Sequence, residues 1–420
     1  MSTRSSEPPV AEPAAPTPTG PPTGQQAGPP TDQQADPPAD PGGAGARPSR
    51  DRYFDLLRAV ALSRVVFYHL MGWAWLPVVF PSMGVMFALA GSLTARSLDR
   101  RPAVDVVRGR LRRLLPPLWL LGAVGVTGML LAGWGPDAEG HPGWWWLHLA
   151  FWILPLSDPP YGEGLPGVPG LIADDWAVAL GVPLWYLRAY LWFVLLSPLL
   201  LRALRRLPWA TVLAPLALSA ALESGLVAVP GWRAEAVLSD VGAFGACWLL
   251  GMAHREGVLR RLPRYVVPSL APAVAAAGLW YALAHDPRPG HDLDDMPFAQ
   301  SLWSFAAVLL LLHISPAWHT WPPRLRRWDR LIALLNSRAV TIYLWHNVCI
   351  VLTEALWDHL WDITALEEGT PWLLESPWPQ LPVVWLLTAG CVLCFGWAED
   401  LAAGRGPRLW PDGGPTRRLG

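Results

Sequence analysis

Residues 53–69 read YFDLLRAVALSRVVFYH, an apolar run of helical length that carries Asp55, Arg58, Arg64 and His69. Ionisable side chains are costly inside a bilayer, so those that occur there face the bundle interior or a wet cavity and mark function. At about 100° per residue, Arg58 and His69 fall within about 20° of each other, and about 16 Å separates them along the helix axis. The stretch therefore predicts a membrane helix with an arginine and a histidine on one face, each near a different membrane surface.

Two more side chains of this run have expected positions. Asp55 lies three residues before Arg58 and is expected to pair with it and orient it. Arg64 points about 120° away from the face of Arg58 and His69 and is expected to meet a neighbouring helix. A purely structural alternative stays open, in which the Asp–Arg pair fixes helix packing and His69 bonds a backbone carbonyl.

The composition of the whole chain agrees with a membrane protein. Of its 420 residues 52% are hydrophobic and 15% are charged, whereas a soluble chain carries about a quarter charged residues. A net charge of −1 gives no sign of nucleic-acid binding. Every basic residue is arginine, which favours a GC-rich bacterial genome. The four cysteines lie in apolar segments and indicate packing, without a disulfide framework or a metal site.

Hydrophobicity and arginine placement together predict the topology. The chain reads as an all-α, polytopic helix bundle with about ten transmembrane helices, both termini cytoplasmic, in the cell membrane. The arginine clusters between the spans all fall on one side if the stretch 143–156, which is too short to cross, does not span. We expect the run Trp144–Trp146 to be interfacial or re-entrant, with a lid over an outward cavity as the alternative. The ten predicted spans are 54–73, 77–96, 114–133, 184–203, 209–229, 235–254, 264–285, 298–315, 334–357 and 380–398.

Three regions are predicted. Residues 1–49 are rich in Pro and Gly and contain no aromatic residue, which is typical of a disordered segment, here a cytoplasmic tail. Residues 50–400 form the transmembrane domain, and residues 401–420 form a short cytoplasmic tail.

The ionisable groups suggest a chemistry. Histidine accepts and returns a proton near neutral pH, so His69 in a polar cavity is a candidate general base toward a hydroxyl. Arg58 suits an anionic donor or a developing oxyanion. Arg110, Arg112 and Arg113 form a second basic cluster, which either holds the phosphates of a nucleotide-bearing donor or only sets the topology.

Four segments of the chain resemble a known family. Arg58 and His69 with ten residues between them, the run from Gly84 to Gly91, RLRRLLP at 110–116 and TIYLWHN at 341–347 are together similar to the membrane-bound acyltransferase-3 family. The resemblance covers about residues 50–400. It implies a ten-span enzyme that moves an acyl group, often acetyl, from cytoplasmic acyl-CoA to a cell-surface glycan, a lipid or a secondary metabolite.

The resemblance also implies roles for particular residues. His69 and Arg58 would be the catalytic pair, and Arg110 with Arg113 would bind the acyl-CoA co-substrate, with no bound cofactor and no metal. Supporting or cavity-lining positions are expected at Asp55, Trp185, Tyr186, Tyr343, His346 and Asn347. The segment 184–192, LWYLRAYLW, lacks the acidic residues found in many glycan-modifying members, so it favours another acceptor class.

The sequence leaves alternatives open for both the mechanism and the function. Transfer can be direct, or His69 can itself be acylated first. Buried Asp, Arg, Glu and His residues can equally serve a proton-coupled transporter or flippase for a lipid or glycan. The second half shows no repeat of the Arg58/His69 pattern, which counts modestly against transport. A non-catalytic scaffold is the weakest alternative. Membrane lipid and a glycan, lipid or small-molecule acceptor are the expected partners; the sequence does not determine the oligomeric state.

Overall fold

The computed structural model describes residues 51–136, 142–168, 172–174, 176–285, 292–316 and 318–409. The predicted disordered tail at 1–49 and the last residues, 410–420, lie outside the described residues. The described part is all-helical and contains no strand, only one isolated bridge between Val168 and Ile172.

The described helices are numbered in chain order. They are α1 Arg52–Met71, α2 Leu76–Val79, α3 Ser82–Leu98, α4 Ala103–Leu131, α5 Pro142–Leu149, α6 Trp176–Gly181, α7 Leu184–Arg206, α8 Pro208–Glu223, α9 Trp232–Arg255, α10 Val266–His285, α11 Pro297–Ile314, α12 Asp329–Ser337, α13 Ala339–Trp361, α14 Thr364–Gly369, α15 Pro371–Leu374 and α16 Gln380–Ala402.

Local sequence fixes both ends of α1, the helix that carries Arg58 and His69. The Asp51 carboxylate accepts hydrogen bonds from the amides of Tyr53 at 3.0 Å and Phe54 at 3.4 Å, so it caps the helix N-terminus. Gly72 follows the last turn at φ 63°, in the left-handed conformation that glycine adopts without strain. These caps set the register in which Arg58 and His69 face the bundle.

Seven helices of the described residues are long and apolar enough to cross a membrane. They are α4, α9, α10, α11, α13, α16 and a continuous stretch Trp176–Arg206 that joins α6 and α7. Each of the ten predicted spans overlaps a helix. The three spans outside the seven coincide with α1, which holds several charges, and with α3 and α8, which have 17 and 16 residues.

Close backbone contact between α3 and α9 forms the centre of the bundle. A Cβ built on Gly251 would lie 1.8 Å from the Ala88 carbonyl oxygen, and one on Gly91 would lie 2.2 Å from the Trp248 carbonyl oxygen. Small residues allow membrane helices to approach in this way. The two glycines therefore set the distance between α3, which contacts α1, and α9, which carries Asp240.

The predicted interfacial stretch around Trp144–Trp146 forms α5, a helix of eight residues. Its rise of about 12 Å is too short to cross the hydrocarbon layer. Trp145 is buried against Trp134, with ring centroids 4.8 Å apart, while Trp144 and Trp146 are exposed. The stretch is thus a non-spanning element, as its length predicts.

The chain after α16 folds back on the bundle. Arg338, which is fully buried, donates to the carbonyl of Gly396 at 2.6 Å, to Asp400 at 2.6 Å and to the carbonyl of Arg408. The predicted tail from 401 onwards is therefore packed against the helices as far as Arg408.

Candidate active site

A basic cavity of about 700 Å³ lies among α1, α4, α7, α13 and α16. We call it the arginine cavity because five arginines line it: Arg58, Arg101, Arg110, Arg113 and Arg405. Glu399 is the one acidic residue among the lining residues that the structure describes. Such a concentration of guanidinium groups is suited to a polyanion such as a phosphorylated donor.

Helix geometry selects which arginines of the 110–113 cluster reach the cavity. Arg110 and Arg113 are three residues apart and share one face of α4. Arg112 points to another side and is exposed outside the cavity lining. The pair implied by the family resemblance is thus the pair that the fold presents to the cavity.

Polar contacts orient Arg58. Its Nη1 donates to the Asn336 Oδ1 at 3.5 Å, and the Asn336 amide donates to the backbone carbonyls of Asp55 and Ile332, each at 2.8 Å. Asn336 therefore links α12 to α1 beside Arg58. The Asp55 side chain is buried and does not line the cavity.

Glu399 caps the start of α13 from the neighbouring helix α16. Its carboxylate accepts from the amides of Val340 at 3.5 Å and Thr341 at 3.3 Å, and from the Thr341 hydroxyl at 2.9 Å. Helix N-termini favour negative charge, so this contact holds the Glu399 carboxylate against the N-terminus of α13. Arg405, just after α16, bonds Asp400 at 3.3 Å, and its buried Nε has no partner among the described residues. The sequence analysis missed Glu399 and Arg405 because both look like ordinary residues at the end of a span.

A second cavity of about 350 Å³, the histidine cavity, is lined by His69 together with residues of α7, α9 and α13 and of the turn before α11. His69 is exposed to this space. Its wall contains the buried Arg188, whose Nη2 lies 2.8 Å from Asp240 and which also pairs with Asp158. Gln300 donates to Asp294 at 2.9 Å. The space thus combines an accessible imidazole with fixed polar groups.

Asp294 lies outside the spanning segments, in the turn before α11, and is open to the histidine cavity. Protein atoms around it still displace much of its water, and this desolvation raises the pKa of its carboxyl to about 6. Arg64 opposes the shift.

His346 stands beside His69 but does not line the cavity. The two imidazole centroids are 5.1 Å apart, and His346 is 1% exposed. Its Nδ1 lies 2.6 Å from the Tyr343 carbonyl; because a carbonyl only accepts, Nδ1 must carry the proton. Nε2 then presents a lone pair, and it is buried without a hydrogen-bond partner among the described residues.

Tyr343 forms the wall between the two cavities. It lines both of them and is 5% exposed. Its ring centroid lies 5.0 Å from that of Tyr186, on the arginine side, and 5.7 Å from that of His346. Tyr343 is the one described residue that lines both cavities.

The other predicted supporting residues divide into two sets. Trp185 lines the histidine cavity and Tyr186 the arginine cavity. Asn347 is buried and lines neither cavity. Three further tryptophans that could line a cavity are engaged elsewhere: Trp192 and Trp303 donate to the carbonyls of Leu156 and Val78, and Trp345 stacks on Phe395.

The family model described as an acyltransferase domain, Acyl_transf_3, matches residues 51–398. The chain belongs to the acyltransferase-3 family. This acyltransferase-3 protein is therefore an enzyme that transfers acyl groups, and its apolar helices make it an integral membrane protein. No curated protein and no solved structure matches the chain. The matched range contains both cavities except Glu399, Ala403 and Arg405.

Proposed function

We propose that the protein is an acyl-CoA-dependent O-acyltransferase with acetyl-CoA as its donor. The donor binds in the arginine cavity, and the acyl group passes to a hydroxyl that an acceptor presents in the histidine cavity. The acceptor belongs to the cell-surface glycans, lipids or secondary metabolites. The observation that carries the proposal is that α1 places Arg58 in one cavity and His69 in the other, with Tyr343 between them.

The charge of the arginine cavity supports a phosphorylated donor. Coenzyme A is a polyanion, and arginine contacts phosphate in bidentate fashion. Arg110 and Arg113 approach from α4, Arg58 from α1 and Arg405 from the end of α16. Cations that converge from three elements fit a ligand with several phosphates better than a single anion.

In the direct route, a His69 nitrogen takes the proton of the acceptor hydroxyl as that oxygen attacks the thioester carbonyl. The C–S bond breaks, and the thiolate of coenzyme A recovers the proton from the imidazolium. The products are an ester and free coenzyme A. The ring centroid of His346 lies 5.1 Å from that of His69, and its Nε2 lone pair would stabilise the protonated His69.

The two-step route uses the same residues. His69 attacks the thioester and releases coenzyme A, and the acceptor hydroxyl then takes the acyl group from the imidazole. The two routes differ in whether acyl label is ever bound to the protein.

The proposed topology has ten spans and both termini in the cytoplasm. The arginine clusters between the helices support it, since cytoplasmic loops carry an excess of arginine. The arginine cavity then opens toward cytoplasmic acyl-CoA, and the histidine cavity lies nearer the opposite surface. The family match favours this enzyme over a transporter or flippase.

The test uses protein in lipid nanodiscs with radiolabelled acetyl-CoA, and scores label in protein and in extracted host lipid and glycan. We expect label in product to be lost in His69→Ala. Label that accumulates on the wild-type protein and requires His69 supports the two-step route. A folded wild-type sample that neither binds nor turns over any acyl-CoA overturns the proposal.

A matched pair of arginine variants tests the donor site. Arg113→Ala removes a cavity cation, and we expect the KM for acetyl-CoA to rise by about tenfold, since a charge-assisted contact contributes about 1.5–3 kcal/mol. Arg112→Ala removes the same side chain from the same turn outside the cavity. Equal KM values in the two variants contradict phosphate binding by this cavity.

A further inference from the structure

A third cavity belongs to neither of the two already described. It is a groove of about 540 Å³ that is open along one side, bounded by α1, α12 and α16. Its lining is apolar except for Ser63 and Arg64 of α1 and the indole N–H groups. Because α16 is a membrane-spanning candidate, an open apolar side beside it is suited to the hydrocarbon of the bilayer.

The groove follows α1 from Leu56 to Phe67. Eleven residues of helix rise about 16 Å, close to half of a hydrocarbon layer of about 30 Å. The groove thus has the length of one leaflet and runs along the bundle, in the direction taken by a lipid chain. Its shape fits one alkyl chain.

Arg64 joins the groove to the site. It is the one residue that lines both the groove and the histidine cavity, among the residues the structure describes. Its guanidinium lies over the Tyr68 ring, 4.7 Å from the centroid. The buried Nε and Nη2 atoms have no hydrogen-bond partner within the described chain. Two donors are therefore unsatisfied within the described chain, on the side chain that lines both the apolar groove and the polar cavity that holds His69.

The groove does not join the arginine cavity. No residue described as lining the groove also lines that cavity. An alkyl chain in the groove is therefore attached to a head in the histidine cavity, on the acceptor side, and not to a donor held by Arg110 and Arg113.

We propose that the groove binds the alkyl chain of a membrane-resident amphiphile, and that this amphiphile is the acceptor. Arg64 donates to oxygens of its head and brings a head hydroxyl to His69. That the alkyl chain belongs to the acceptor rests on the proposed acyl transfer. That the groove binds an alkyl chain does not depend on that proposal.

The charges around Arg64 indicate the kind of head. Asp294 lines the same cavity, and Asp292 accepts the Tyr68 hydroxyl at 2.5 Å. These carboxylates offset the guanidinium charge, so the wall favours hydrogen-bond acceptors over a strong anion. Trp185 adds an aromatic face suited to the apolar side of a sugar ring. An alkyl glycoside has this chemistry.

The first test does not depend on catalysis. Protein in nanodiscs is photolabelled with a dodecyl β-glucoside that carries a diazirine on its chain, and labelled peptides are mapped. We expect saturable labelling of α1 and α16 that unlabelled dodecyl glucoside competes away. In Ser63→Trp an indole fills the groove and this labelling is lost. Val60→Trp should also block the groove and abolish this labelling. Because Val60 is 43% exposed, this variant does so without a substitution at a buried position.

The matched control is Val124→Trp, which adds the same indole at an exposed position of α4 away from the groove. It should leave labelling of α1 and α16 unchanged. Non-saturable labelling, spread equally over α4 and the groove helices, means annular lipid only and overturns the proposal. Displacement of the probe by palmitoyl-CoA but not by acetyl-CoA would show that the groove binds the acyl chain of a donor. This result also overturns the proposal.

The second test measures acetyl transfer to dodecyl and methyl β-glucoside. In Ser63→Trp we expect kcat/KM for the dodecyl acceptor to fall by at least about tenfold, because the hydroxyl is misplaced, and the value for methyl glucoside to be unchanged. Saturable, Ser63-dependent labelling without transfer to either probe supports the chain site and counts against the proposed acyl transfer. If acetyl transfer occurs and no groove variant affects it, the proposal that the groove binds the acceptor is overturned and the proposed acyltransferase function stands.

Discussion

At the scale of single residues, the histidine cavity depends on how two imidazoles are held. His69 is open to the cavity, while His346 is buried behind it with its Nδ1 bonded to the Tyr343 carbonyl. The backbone therefore fixes the tautomer of His346 and leaves Nε2 as an acceptor. We infer a positioning role for His346 in the proposed transfer, since it lines neither cavity and its ring centroid lies 5.1 Å from that of His69.

Replacing His346 with leucine should lower kcat by about tenfold to a hundredfold, since a hydrogen bond to a charged group contributes about 1.5–3 kcal/mol. The KM for acetyl-CoA should stay unchanged, because the donor cavity is not touched. His346→Gln retains an acceptor and should recover part of the lost turnover. Steady-state kinetics in nanodiscs measure both values; a rise in KM with kcat intact would assign His346 another role.

Asp294 makes stability depend on pH. Its folded-state pKa of about 6 is above the ordinary 3.8, so the folded state binds more protons than the unfolded state between these values. Ionised Asp294 therefore disfavours folding above pH 6, and this cost disappears as pH falls toward 4. Asp294→Asn should raise the Tm relative to wild type more at pH 7.5 than at pH 5.0.

The control for this prediction is Asp295→Asn, which removes one negative charge from the same turn. Thermal unfolding in detergent at the two pH values gives the comparison. The same pH-dependent difference in both variants would attribute the effect to net charge instead of the environment of Asp294.

At the scale of helices, the close contact between α3 and α9 sets the distance between these two helices beside the candidate site. Gly91 and Gly251 meet carbonyls of the facing helix, and α9 also carries Asp240, which holds Arg188. A side chain at either glycine would force the helices apart.

Gly251→Ala should lower the free energy of unfolding by about 1–3 kcal/mol, the usual cost of overpacking. The added methyl would otherwise lie 1.8 Å from the Ala88 carbonyl oxygen. Gly390→Ala in α16 is the matched control, since nothing lies within 4 Å of a Cβ there. Unfolding in mixed micelles of increasing SDS measures both; equal loss would mean that the close contact is not what matters.

At the scale of the whole molecule, two cavities meet at a single ring. The arginine cavity and the histidine cavity share Tyr343. In the proposed transfer, the acyl group passes this side chain between donor and acceptor. In the same proposal, the ring separates acceptor-side water from the thioester. Its size should therefore limit both acyl length and hydrolysis.

Tyr343→Ala should raise kcat/KM for butyryl-CoA relative to acetyl-CoA by about tenfold, because a removed ring leaves space for extra methylenes. Hydrolysis of acetyl-CoA without acceptor should rise as well. Tyr343→Phe keeps the ring and should behave as wild type. The assay is release of free coenzyme A with each donor; identical behaviour of the Ala and Phe variants would contradict a steric barrier.

The class of the molecule and the two ends of its candidate site follow from the order of its residues. Apolar helical runs predict a membrane bundle because the bilayer demands internally bonded backbone, and seven helices confirm its character. Periodicity predicted Arg58 and His69 on one face, since that relation is local to one helix, and the family resemblance singled out Arg110 with Arg113. The family resemblance drawn from these residues is confirmed over residues 51–398.

Contacts between helices became visible only in the folded molecule. The carboxylate of Glu399 at the start of α13, the return of Arg405 to the arginine cavity and the lone pair of His346 behind His69 each join residues far apart in the chain. So does Arg64 as the link between the apolar groove and the histidine cavity. Helical periodicity fixes the direction of a side chain around its own axis but not which helix stands opposite. That choice depends on packing, as at Gly91 and Gly251, where two backbones touch.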